Sequence, residues 1–432
     1  MTQRESEFIE LLHKEVKPAL GCTEPMAVAL AAAKAMEILR SEVQTVNEYT
    51  LDVEVSGNIL KNGMGVGIPG TGMVGLYIAS ALGAVCGRSE YGLEVLKDLT
   101  DKDVETAKQL VDNDSVRIKV SESPKILYVK VTVRSGGHKA WPVIEDDHDR
   151  IVETGFDDSV SDLRAGSEGG ASSDKCTLDY KLTVKEIYSF AQTAAFEDIK
   201  FILEDRDLNL ALAREGLQGD YGLNVGKAIR ENQQEVFGDD FISFAMGMTA
   251  AASDARMAGC KLPAMSNSGS GNQGITVSMP VIAYALKYGV DDENLARALI
   301  LSNLVAIHIK GYLGKLSALC GCVIASTGSA CGITFLRGGC YEQVCAAIKN
   351  MIGNITGMVC DGAKVGCAMK VASGVACAVQ SCVLALRGTC IQETDGIIEK
   401  DIEKTIRNLG SIGSAGMQST DHLIQQIMLC KE

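Results

Sequence analysis

Apolar residues recur through the first stretch of the chain, MTQRESEFIELLHKEVK, at Phe8, Ile9, Leu11, Leu12 and Val16, with charges between them. That spacing predicts an amphipathic helix over residues 4–16. A second helix is expected after Cys22. Thr23 is suited to cap it, Glu24 and Pro25 to form its first turn, and MAVALAAAKAMEILR to continue it. From about 47 to 153 the texture changes. YTLDVEV (49–55), VRIKV (116–120) and ILYVKVTV (126–133) alternate or cluster β-branched residues, and KAWPVIEDD (139–147) reads as a further strand. TGMVGLYIASALGAV (71–85) reads as a helix among them. Residues 157–176, DDSVSDLRAGSEGGASSDKC, are polar and rich in Gly and Ser, the composition of a linker or surface loop. From 183 to 432 nearly every segment is helix-like, filled with Ala, Gly, Ser and Cys that allow close packing.

These elements predict an α+β protein: a large helical domain with a small inserted α/β module. Residues 1–46 supply N-terminal helices that pack on the helical domain, 47–165 form the module, and 166–432 form the main helical domain. A chain of 432 residues, 46% of them hydrophobic, is too long for one ordinary core, which agrees with such a division. The formal net charge of -14 argues against a general nucleic-acid or membrane-surface binder. Two long charge-free stretches, Leu262 to Leu286 and Leu316 to Leu336, are rich in small residues and do not read as membrane spans. The first residues lack the apolar run of a signal peptide, so a cytoplasmic location is expected.

Chemistry enters with the cysteines. There are fifteen, and eleven lie between Cys320 and Cys430. In a reducing compartment most are small buried hydrophobes, leaving a few as candidate ligands. Cys22, in PALGCTEP, stands just before a helix N-terminus. The helix dipole there lowers a thiol pKa, which predicts a thiolate able to act as base, nucleophile or ligand. SALCGC carries Cys320 and Cys322, whose side chains point to opposite sides of a helix or strand, so one of them faces a given site. MVCDGAKVGCAMK carries Cys360 and Cys367. On a continuous helix these two would share a face but stand ~10.5 Å apart along the axis. Joint ligation therefore requires a backbone break, which Gly362 and Gly366 permit, and Cys367 would then open a new helix. The plain alternative is one helix with both cysteines on a packing face.

Two glycine-rich loops complete the candidates. SGNILKNGMGVGIPGTG (56–72) fits G-x-G-x-x-G at Gly65, Gly67 and Gly70, but Pro69 and Gly72 delay the helix that a dinucleotide site needs. A loop presenting backbone N–H groups to a small carboxylate is the better reading, with Asn58, Lys61 and Asn62 adding donors. A tight turn with no ligand is the alternative. SNSGSGNQG places Ser268, Ser270, Asn272 and Gln273 between apolar flanks, suited to a small polar substrate. His308, in NLVAIHIK, reads as a satisfied core histidine.

In this order and spacing, PALGCTEP, SGNILKNGMGVGIPGTG, SGSGNQG, SALCGC and VCDGAKVGCAMK resemble the L-cysteine desulfidase family, itself related to the α-chain of iron–sulfur L-serine dehydratases. The resemblance covers essentially the whole chain. It implies a [4Fe–4S] enzyme, free of pyridoxal phosphate, that converts L-cysteine to pyruvate, ammonia and hydrogen sulfide. Carried over by position, it implies Cys320, Cys360 and Cys367 as cluster ligands with one open iron, and Cys22 as the base. Cys322 is the rival to Cys320. The substrate contacts expected are Asn58, Lys61, Asn62, Ser268 and Asn272. The partner expected is a small amino acid, with no nucleic acid or membrane and with room for a homo-oligomer. Departures from the family pattern are EDDHDRI, which lacks a Thr on each side of His148, and the extra Cys377, Cys382 and Cys390. Serine dehydration on the same scaffold is the rival activity, and a non-catalytic sulfur or amino-acid sensor the rival of another class.

Overall fold

The computed structural model describes residues 2–164, 177–314 and 317–430. Cys176 and the expected boundary at 165/166 lie outside these. Strands β1 (Val16–Ala19), β2 (Thr50–Val55), β3 (Val116–Val120), β4 (Tyr128–Ser135), β5 (His138–Glu145), β6 (Ile151–Phe156), β7 (Ser159–Asp162) and β8 (Ala264–Asn267) combine with helices in an α+β protein. Six strands form one sheet in the order β3-β2-β4-β5-β6-β7. Among the described strands, β2 and β3 are the pair that runs parallel. A parallel pair needs a crossover, here the helices Gly57–Gly63, Leu76–Cys86 and Asp101–Asp112. The alternation in TLDVEV puts Leu51, Val53 and Val55 on one buried face, beside Val129, Val131 and Val133 of β4.

The two N-terminal helices part company. Phe8, Leu11 and Leu12 of helix Gln3–Glu15 join the large helical core. Helix Thr23–Glu42 instead packs on the sheet and on helix Leu76–Cys86, against the expectation for residues 1–46. Its Ala-rich surface explains this: an ideal Cβ on Gly83 would lie 2.2 Å from the Ala29 carbonyl oxygen, so the two backbones meet almost directly. The helix expected over 71–85 starts at Leu76, because Gly70, Gly72 and Gly75 all adopt positive φ.

In the helical part, Asp292–Leu313 lies against Gly271–Tyr288 and Gly321–Leu336. Helix Cys367–Leu386 is long and apolar enough to cross a membrane by length and composition. It packs among helices Phe241–Met257, Gly321–Leu336 and Tyr341–Ile355. The short strands β1 and β8 pair antiparallel, Val16 opposite Asn267. Four residues each are too few for a period-2 pattern to register in sequence.

A buried polar chain holds β8 and the loop after it. Gln273 Nε2 donates to Asn267 Oδ1 at 2.8 Å, Asn267 Nδ2 to Asn303 Oδ1 at 2.8 Å, and Asn303 Nδ2 to Asp205 Oδ2 at 2.9 Å. Asp205 is 1% exposed, and its Oδ1 has no partner. Burial pushes its carboxyl up to about 7, outweighing the Asn303 hydrogen bond. The folded pKa thus exceeds the unfolded value of about 3.9, so this group's contribution is full below pH ~4 and lost as pH rises towards 7. Asp205→Asn should remove that slope. Relative to wild type, the variant should gain stability on the order of 2–3 kcal/mol between pH 5 and pH 8. Thermal midpoints at both pH values check this; an unchanged wild-type-to-variant difference would contradict it.

Candidate active site

Among the described residues cysteine sits at the N-terminus of four helices; Cys340, the N-cap of Tyr341–Ile355, is the one outside the candidate residues. Cys22 is the N-cap of Thr23–Glu42, and Cys320 the N-cap of Gly321–Leu336, neither making a side-chain cap bond. Cys367 is the first residue of Cys367–Leu386. Free backbone N–H groups and the positive end of the helix dipole therefore surround each thiol. Thr23, expected as a cap, is already inside its helix; its hydroxyl reaches Glu24 and the Gly269 carbonyl, at 3.3 and 3.5 Å.

Main-chain bonds bring the segments together. Leu319 and Val359 form an antiparallel bridge. The N–H of Cys320 donates to the Met358 carbonyl at 3.0 Å, and the N–H of Cys360 to the Ala318 carbonyl at 2.7 Å. The stretch 358–366 is thus fixed to 318–320 on one side. On the other side Gly65 bridges Lys364, and Gly362, at φ 95°, lies so close to the Lys61 carbonyl that a Cβ would stand 2.1 Å from its oxygen. The backbone breaks between Cys360 and Cys367, as joint ligation requires. Cys320, Cys322 and Cys360 share one apolar cluster with Val323 and Val371; Cys22 and Cys367 share another with Val66, Met257, Ala363 and Val365. Among the described residues, no three His, Cys, Asp or Glu side chains close around a single ion position.

The thiols differ in charge tendency. Hydrogen bonding from Cys322 brings Cys320 down to about 7 against the cost of burial. Its partner Cys322 is pushed well up by that same bond and by burial. Burial also raises Cys360 and Cys367, and a charge on Cys320 raises both further. Three lysines offset this. Lys370 favours the charged forms of Cys320 and Cys360, and Lys61 that of Cys360. Lys310, brought down to about 8 by burial, is drawn back up by Cys360 and Cys320. Asp361 orders the loop. Burial opposes its ionisation, but hydrogen bonds from Lys364 and Lys370 prevail and hold it at about 2.

Cys22 departs from expectation. It is 7% exposed, and its Sγ donates to Glu24 Oε2 at 3.1 Å. Burial, then the charge of Glu24, pushes the thiol far up, and Arg256 only partly counters this. Desolvation overrides the helix dipole, so the resting group is a thiol and not the expected thiolate. The glycine loop departs as well. Gly67, Ile68, Gly70, Thr71 and Gly75 spend their N–H groups on the carbonyls of Met257, Met73, Gly259, Ile68 and Val66. Gly67 presses on Ala258, where a Cβ would stand 2.4 Å from the carbonyl carbon. Gly67 and Gly70 thereby hold the loop against the turn after Met257 and the other three bond within the loop, so these five amides do not present themselves to an anion.

The remaining expected contacts separate. Lys61 is 2% exposed and paired with Asp421 at 2.5 Å, so its ammonium already has a carboxylate. Asn58 has a buried Oδ1 without a partner, and Asn62 is buried close by in the same helix. The Ser268 N–H donates to the Glu15 carbonyl and its hydroxyl to Asn267. Asn272 Oδ1 accepts from Ser253 and from Arg256 Nη1, at 3.3 and 3.4 Å. His308 is buried against Glu403 at 2.7 Å, a satisfied core histidine. Sequence reading passed over Glu24, Arg256 and Lys310. Glu24 stood inside the motif that flagged Cys22; the other two lie in apolar helices with no local signal.

A family model described as serine dehydratase alpha chain matches residues 90–425. The chain belongs to this family, and so has the scaffold of a serine dehydratase-like lyase. Similar over their full lengths are UPF0597 proteins. That of Oleidesulfovibrio alaskensis is 50% identical over 434 residues, 99% of this chain and 98% of the relative. That of Bacteroides fragilis is 48% identical, 100% of both chains covered. That of Shewanella pealeana is 46% identical, 98% of both covered.

Proposed function

We propose that the chain is a [4Fe–4S]-dependent L-cysteine desulfidase, converting L-cysteine and water to pyruvate, ammonia and hydrogen sulfide. The observation that carries this reading is the joining of Cys320 and Cys360 across the Leu319–Val359 bridge, with Cys367 opening a helix on the same loop. The donor set fits a cluster. Each thiolate of a cube binds a different iron, so its ligands stand further apart than those of one ion. Three lysines and two helix N-termini suit a negatively charged thiolate–cluster assembly. Cys320 is the natural third ligand, since Cys322 acts as the donor that favours its thiolate.

A cluster held by Cys320, Cys360 and Cys367 would supply a Lewis-acidic iron to stabilise the leaving sulfide. The protein supplies the proton chemistry. Glu24 accepts the Cys22 proton along their existing hydrogen bond, and the thiolate so formed, raised in basicity by burial, takes the substrate α-proton. Loss of sulfide leaves an aminoacrylate, which tautomerises and hydrolyses in water to pyruvate and ammonia. The family match favours a second reading in which the substrate is L-serine and the leaving group hydroxide. Anaerobically reconstituted protein should release sulfide from L-cysteine faster than pyruvate from L-serine; the reverse order would establish the second reading.

A further inference from the structure

Arg256 is 4% exposed, at the end of helix Phe241–Met257. Its Nη2 donates to the Gly21 carbonyl at 2.9 Å, and its Nη1 makes only the long contact to Asn272. Its Nε is buried without a partner. Among the described residues no Asp or Glu forms an ion pair with it. A buried guanidinium without a counter-ion is costly unless an anion arrives. Its surroundings hold it in place: Nε faces Gly271, the first residue of helix Gly271–Tyr288, where an ideal Cβ would stand 2.2 Å away. Only glycine leaves room for the guanidinium there. Cys22 Sγ lies within its hydrogen-bonding reach.

We infer that Arg256 binds the α-carboxylate of the amino-acid substrate and so presents the α-carbon to Cys22. This deepens the lyase reading and rests on it. The chemistry is consistent: the α-carbon is one bond from the carboxylate, so an anchor touching the base sets the proton within reach. A planar guanidinium also matches a carboxylate better than an ammonium does. This assigns to Arg256 the role that sequence reading gave to the glycine loop and Lys61, whose donors are already used.

The test uses anaerobically reconstituted protein and two competitive probes, 3-mercaptopropionate and its uncharged counterpart 3-mercaptopropanol, with binding followed by calorimetry. Wild type should bind the carboxylate probe about 10- to 100-fold more tightly, the range of a charge-assisted hydrogen bond. Arg256→Gln should bring the two affinities together while iron and sulfide content stay at wild-type levels. Gly271→Ala, which displaces the guanidinium without removing it, should move the ratio the same way and serves if Arg256→Gln fails to fold. Equal affinities in wild type, or an Arg256→Gln protein that keeps the wild-type ratio, would overturn the assignment. Failure of the lyase reading is distinguishable, since it shows in wild type as absent cluster or absent turnover.

Discussion

Cys320→Ala protein, reconstituted anaerobically, is expected to hold no cluster, whereas Cys322→Ala protein holds one. Both cysteines are buried and two residues apart, so spacing alone does not separate them. Charge does. Cys320 is the N-cap of a helix and receives hydrogen bonds from the side chain and backbone of Cys322. Ligation requires the thiolate, and this is the thiol of the pair held nearest to neutral pH. Cys322 is a donor to that thiolate, so its loss should weaken the cluster and not abolish it; outer-shell partners of a metal typically contribute 10- to 100-fold in affinity or activity. Cys360→Ala and Cys367→Ala should behave like Cys320→Ala. Visible absorption with iron analysis decides the matter. A full cluster in Cys320→Ala, or none in Cys322→Ala, would exchange the two roles.

Cys22→Ala should keep the cluster and lose turnover by at least about 10³-fold, within the range for removal of a general base. Cys22 lies in the apolar group around Cys367 but is not among the proposed ligands, so metal content and activity should part. The structure adds a second variant. Because Cys22 rests as a thiol on Glu24, Glu24→Gln removes the proton acceptor and leaves the thiol in place. That variant should also be slow, and the dependence of its residual rate on pH should follow the thiol alone, with activity rising into alkaline solution. A rate for Glu24→Gln equal to wild type would mean that Cys22 loses its proton elsewhere. A loss of cluster in Cys22→Ala would make Cys22 a ligand.

Much of this was legible in the sequence, for reasons that differ by feature. VRIKV is a strand at the residues its pattern marks, because a half-buried strand writes its alternation into the chain. Cys367 opens a helix after a break at Gly362, whose φ of 95° calls for glycine; Gly366 was expected to share that role but has ordinary helical backbone angles. Long-range facts were not legible. Helix Thr23–Glu42 is apolar nearly all round, so its composition did not say which core it joins. The N–H groups of Gly67 and Gly70 looked free because their partners, Met257 and Gly259, lie nearly 200 residues on. The Cys22 thiol was misjudged because the dipole effect can be read from sequence position, whereas burial and the reach of Glu24 and Arg256 cannot.

The central claim is that these cysteines carry an iron–sulfur cluster serving elimination from a small thiol amino acid. Its most direct measurement is iron and acid-labile sulfide on protein purified without oxygen, with sulfide release from L-cysteine followed on the same sample. About four irons and four sulfides per chain are expected, together with stoichiometric sulfide, pyruvate and ammonia from cysteine. Protein that binds no iron after anaerobic reconstitution, yet is folded, would contradict it.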